Sequence, residues 1–71
     1  MKEIEITTEY IKLESALKFA ALVYSGGEAK TVIAEGLVFV NNEICTMRGK
    51  KLRSGDIVRF MGNEIKIVDA N

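Results

Sequence analysis

With 71 residues, one cysteine and no histidine, this chain has no disulfide or zinc staple open to it and must hold itself together with an apolar core. A chain of this size buries only about 60% of its unfolded surface, so the core is small and each member counts. Hydrophobic residues make up 48% of the sequence and charged residues 28%, the balance of a folded domain and not of a disordered segment. The same scarcities narrow the chemistry. Without histidine there is no Ser-His-Asp or Cys-His machinery and no imidazole base or ligand, so neither an enzyme nor a cofactor is expected.

The apolar pattern divides the chain without any internal boundary, and residues 1–71 read as one domain. Glu3-Ile4-Glu5-Ile6-Thr7 alternates acidic and β-branched residues, the period of a half-buried strand. Leu13, Ala16, Leu17 and Ala20 recur at helical spacing and predict an amphipathic helix of roughly three turns. Ser25-Gly26-Gly27-Glu28 fits a capping box for a second helix, whose apolar face is Ala29, Val32 and Ile33. Gly36 stands where a left-handed residue would close that helix. Leu37 to Val40 is a β-rich run, and Asn41-Asn42 makes a turn in which asparagine tolerates positive φ. Glu43 to Met47 returns as a short strand, Arg48 to Gly55 reads as loop, and Ile57 to Phe60 and Glu64 to Val68 form a last hairpin across Met61-Gly62-Asn63. The expected fold is α+β: two packed N-terminal helices, helix-turn-helix-like, against a small, mostly antiparallel sheet. Leu13, Leu17, Ile33, Val38, Val40 and Val58 point inward as its core, and Phe19, Phe39 and Phe60 sit in apolar runs as further core members.

Catalytic templates fail on inspection. Gly49-Lys50 lacks the earlier glycine and the following Ser or Thr of a phosphate loop, and there is no G-x-G-x-x-G. Acids follow Met1-Lys2 where a signal peptide would be basic, and the longest apolar stretch, Phe19 to Tyr24, is far short of the roughly 20 residues of a membrane span. A cytoplasmic protein with no membrane partner is expected, and a free thiol suits that compartment.

What remains is cationic. Net charge is zero, but residues 1–47 carry −3 and residues 48–71 carry +3. Arg48-Gly49-Lys50-Lys51-Leu52-Arg53 holds four cations and no acid. Together with Lys12 and Lys18 on the first helix and Lys30 on the second, these could converge on a phosphodiester backbone, where neutralising phosphates releases counterions. Tyr10 and Tyr24, beside element boundaries, are the candidate stacking surfaces.

Taken in order, Lys12-Leu13-Glu14, Leu17-Lys18, Ser25-Gly26-Gly27-Glu28-Ala29-Lys30, Ile33 to Glu43 and Arg48 to Asp56 resemble the S-four RNA-binding domain, or αL RNA-binding motif. The Ser-Gly-Gly-Glu-Ala-Lys and Arg-Gly-Lys-Lys-Leu-Arg segments are most similar to its stand-alone bacterial YaaA/YbcJ-type branch. The resemblance implies two helices packed on a small sheet and a non-catalytic protein that takes structured RNA, ribosomal or transfer, along the helix face and loop, with the ribosome as an expected partner. It implies RNA-binding roles for Lys12, Lys18, Gly26, Gly27, Lys30, Asn41, Arg48, Lys50, Lys51 and Arg53. Two positions depart from the family pattern: Gly26 stands where arginine is usual, and Asn42 where the turn has glycine. The Gly26 and Gly27 amides could meet a phosphate directly. The alternative is a protein-docking module, ribosome-associated, whose basic loop meets an acidic partner; a monomer is expected in either case.

Overall fold

The computed structural model describes residues 1–70. Its elements, in chain order, are β1 (Lys2–Ile6), β2 (Ile11–Lys12), α1 (Leu13–Phe19), α2 (Gly26–Ala34), β3 (Val38–Val40), β4 (Glu43–Ile44), β5 (Lys51–Leu52), β6 (Ile57–Phe60) and β7 (Asn63–Asp69). Five strands make one sheet in the order β1-β7-β6-β3-β4, and β2 pairs with β5 in a separate short ladder. All pairs are antiparallel except β1 with β7, which run parallel and bring the first strand onto the last. The fold is the α+β class expected from the sequence.

Alternation sets one face of the sheet against the helices. Ile4 pairs with Ile67, Ile65 with Val58, Val58 with Val40, and Phe60 with Val38, so the register lines up one buried apolar face. Leu13, Ala16, Leu17 and Ala20 from the α1 region, with Ala29 and Ile33 from α2, close over it. All six inward positions expected from the spacing are buried. Leu52, Ile65 and Ile67 are fully buried beside them.

Turn chemistry fixes the connections. Asn41 and Asn42 take φ of 51° and 70°, and Met61 and Gly62 take 50° and 79°, the paired positive values of tight hairpin turns whose twist matches the strands. The Ser25 half of the expected capping box is present, the Glu28 N–H donating to Ser25 Oγ at 3.1 Å, while Glu28 Oε1 reaches one residue past the cap and accepts from the Tyr24 N–H at 2.7 Å. At its other end Gly36, at φ 77°, donates to the Ile33 carbonyl, and Leu37 donates to that of Val32. That pair of bonds is a Schellman closure.

Five expectations need correction. The first helix has 7 residues, about two turns, because Ala21 adopts φ 60° and the Ala21 and Leu22 N–H groups close onto the Lys18 and Leu17 carbonyls. Phe19 is 73% exposed, since it lies roughly 120° round the helix from the stripe of Leu13, Ala16, Leu17 and Ala20. Phe39 is only half-buried, on the sheet face turned away from the helices. The segment 48–55 is not plain loop: Lys51 and Leu52 form β5, and the strand after the asparagine turn stops at Ile44.

Candidate nucleic-acid interface

The basic segment is held against the first helix by its own backbone. Lys12 occupies the N-cap position of α1 with extended φ and ψ and gives no side-chain cap. The free amides of the first turn are met instead by the segment: Leu13 donates to the Lys50 carbonyl at 2.9 Å and Glu14 to the Arg48 carbonyl at 3.1 Å. Two ladder residues then continue the contact, with Ile11 opposite Leu52 and Lys12 opposite Lys51. Leu52 turns into the core while Lys51 and Lys12 turn out to solvent. A cation is thereby fixed directly across from a cation.

Such a pairing costs stability in an isolated sheet. Among the described residues no ion pair engages either lysine. Tyr10, half-buried at the edge of the ladder, lies beneath both ends of the cluster: Lys51 Nζ stands 4.9 Å from its ring centroid and Arg53 Cζ 5.9 Å. Arg53 is partly engaged, with its guanidinium 3.3 Å from a Glu9 carboxylate oxygen. Lys12, Lys51 and Arg53 with the Tyr10 ring therefore form one exposed basic surface.

Asn41 also has partners within the protein. Its Nδ2 donates to Asp56 Oδ1 at 3.0 Å, and its Oδ1 accepts the Ile57 N–H at 3.0 Å. The other Asp56 oxygen accepts the Arg53 N–H at 2.8 Å. The side-chain amide is thus bonded at both ends within the protein, and it ties the start of the β3–β4 turn to the end of the basic segment. Asp56 carries this arrangement, a role the sequence did not assign, while Tyr10, a stacking candidate from the sequence, lies under Lys51 and Arg53.

The remaining candidates are distributed more widely. Arg48 and Lys50 are exposed, and Lys50 lines a groove of about 400 Å³ with Asn41, Ile44 and Met47. Gly26 and Gly27 open α2, and Lys30 stands exposed about one turn further along the Gly26 stripe. A side chain at Gly26 would meet nothing within 4 Å. Lys18 is exposed in the last turn of α1. No hydrogen bond, ring contact or ion pair ties Lys18 or Lys30 to the Lys12–Lys51 ladder among the described residues. Those residues also contain no cluster of metal-ligating side chains and no helix long and apolar enough to cross a membrane.

Comparison with known proteins adds the family. A model of the S4 domain matches residues 4–68. Over 59 residues the chain is 46% identical to "Probable ribosome maturation protein RlbA" of Bacillus subtilis, with 83% of each chain covered. It is 34% identical to "Putative RNA-binding protein YbcJ" of Escherichia coli, over 83% of this chain and 84% of that one. The solution structure of E. coli YbcJ, reported to reveal an αL motif involved in RNA-binding, superposes with a TM-score of 0.74 at 30% identity, covering 96% of this chain and 87% of that one. The matched span takes in both helices, the Lys12–Lys51 ladder and nearly all of the five-stranded sheet, and the chain belongs to the S4 domain family.

Proposed function

We propose that this protein binds structured RNA, without catalysis, on the surface built by Tyr10, Lys12, Lys51 and Arg53. One observation carries the reading: the antiparallel register sets Lys12 directly opposite Lys51, both exposed and neither ion-paired among the described residues. Two like charges held across a ladder by backbone bonds are a cost in the free protein, and a phosphate between them turns that cost into attraction. The aromatic face beneath them adds a place for an unpaired base to stack. Arg48 and Lys50, on the segment bonded to the α1 amides, extend the basic surface. Lys18, Lys30, Gly26 and Gly27 supply a second set of contacts on the helices. Asn41 helps to fix the segment from within the protein.

The name of the B. subtilis relative supports a ribosomal context, and we take the RNA to be ribosomal, with residues 1–71 acting as one monomeric unit in the cytoplasm. Crosslinking in cells, followed by sequencing of the RNA attached to the protein, tests this. Recovery of ribosomal RNA fragments concentrated at one site, and their loss on Lys51→Glu, is the expected result. Fragments spread across cellular RNAs, or an unchanged profile for the variant, would refute the ribosomal assignment.

A further inference from the structure

The sheet has a bare edge at β1. Among the described residues β1 pairs with β7 alone, so its other side carries no strand. The Ala70 N–H donates to the Ile6 carbonyl at 3.0 Å, which turns the backbone groups of Ile6, and by alternation those of Ile4, toward β7. Glu3 and Glu5 accordingly turn their N–H and C=O groups outward. Along this edge runs a groove of about 430 Å³, lined by Lys2 to Thr8 together with Ile11 and Phe19. The Phe19 ring, misplaced in the core by sequence reasoning, is 73% exposed here. An open strand edge beside an apolar trough is the arrangement that accepts one more strand.

Charge selects the occupant. Glu3 and Glu5 are exposed on the sheet face away from the helices, whereas the trough with Ile11 and Phe19 lies on the helix side. A strand added at this edge would place one set of alternate side chains beside the two carboxylates and the other set in the trough. A second copy of this chain fits badly, because antiparallel pairing of β1 with β1 centred on Ile4 sets Glu3 against Glu5 of the other copy. We infer that the β1 edge is a docking site for an extended segment of another protein in which basic and apolar residues alternate. This surface shares Ile11 with the β2–β5 ladder but uses neither Lys12 nor Lys51, and it does not depend on RNA binding.

The test is an amide chemical-shift titration of the full chain with three capped peptides: one alternating lysine and valine, one with the same composition in two blocks, and one alternating glutamate and valine. The alternating basic peptide is expected to shift the amides of Glu3, Glu5 and Thr7 and of Phe19, and the other two are not. Glu3→Gln with Glu5→Gln should weaken it roughly fivefold to tenfold. Phe19→Ser, at an exposed position, should weaken it while leaving the melting temperature unchanged. Lys51→Ala should leave this affinity intact. Equal binding by the block peptide, shifts absent from β1, or indifference to both variants would overturn the inference. So would dimerisation through β1 in sedimentation of the parent chain.

Discussion

Ala21 holds φ 60°, a left-handed backbone that costs an L-residue with a β-carbon roughly 1–2 kcal/mol, at the point where α1 closes onto the Lys18 and Leu17 carbonyls. Ala21→Gly should raise stability by about 0.5–1 kcal/mol, the strain relieved less the added freedom of the unfolded chain, read as a higher melting temperature. The corresponding position after α2 already has its glycine. Gly36 at φ 77° was legible for that reason, while Ala21 gave no signal and the first helix was read a turn too long. Gly26 is the second informative residue. Its backbone is helical and a side chain there meets open space, so Gly26→Arg fits without strain and improves helix propensity. Affinity for structured RNA should rise, and the gain should shrink as salt is added. An unchanged or weaker affinity at low salt would mean that the glycine amides themselves approach the RNA.

At the scale of elements, the basic segment behaves as part of the fold. Leu52 is buried, β5 pairs with β2, and the Arg48 and Lys50 carbonyls serve the first turn of α1. None of this was legible in a run of cations, because a two-residue strand has no period to detect and a backbone cap depends on no particular side chain. Asp56 anchors the far end, bonding Asn41 and the Arg53 amide at once. Asp56→Ala should therefore cost about 1–2 kcal/mol in denaturant unfolding, more than an ordinary exposed substitution, because both donors lose a charged acceptor. It should also weaken RNA binding although Asp56 is itself an anion, since Arg53 and Lys51 would no longer be held in place. Tighter binding would mean instead that its charge merely opposes the phosphates.

Across the whole molecule, alternation and helical spacing predicted the inward faces because burial acts locally on every element. Leu13, Leu17, Ile33, Val38, Val40 and Val58 all lie in one core with Ile65 and Ile67. Truncating Leu17 to alanine should cost about 2–5 kcal/mol, a large share of what so small a domain has, and unfolding should remain a single transition. Which strands meet is a non-local matter and was less visible. The parallel join of β1 to β7 and the ladder of β2 with β5 bring the acidic and basic parts of the chain together, so the −3 and +3 read along the sequence interleave in space. Lys2 Nζ donates to the Ala20 carbonyl at 2.9 Å at the end of α1, so removing that side chain is a structural change as well as a loss of charge.

If the Lys12–Lys51 pair faces phosphate, as proposed, the salt dependence of RNA affinity reports the contact. Lys12→Ala with Lys51→Ala should leave stability almost unaltered, because relieved repulsion across the ladder offsets the lost contact of Lys51 with Tyr10, each under about 1 kcal/mol. Lys66→Ala, on the face of the five-stranded sheet turned away from the helices, controls for loss of charge. Affinity for a structured RNA is measured at several salt concentrations, with melting curves on the same samples. The double variant should bind more weakly and give a plot of log affinity against log salt flatter by about 0.7–0.9 per lysine removed, with the control parallel to the parent. Three equal slopes would contradict the proposal and leave the ladder as solvated surface.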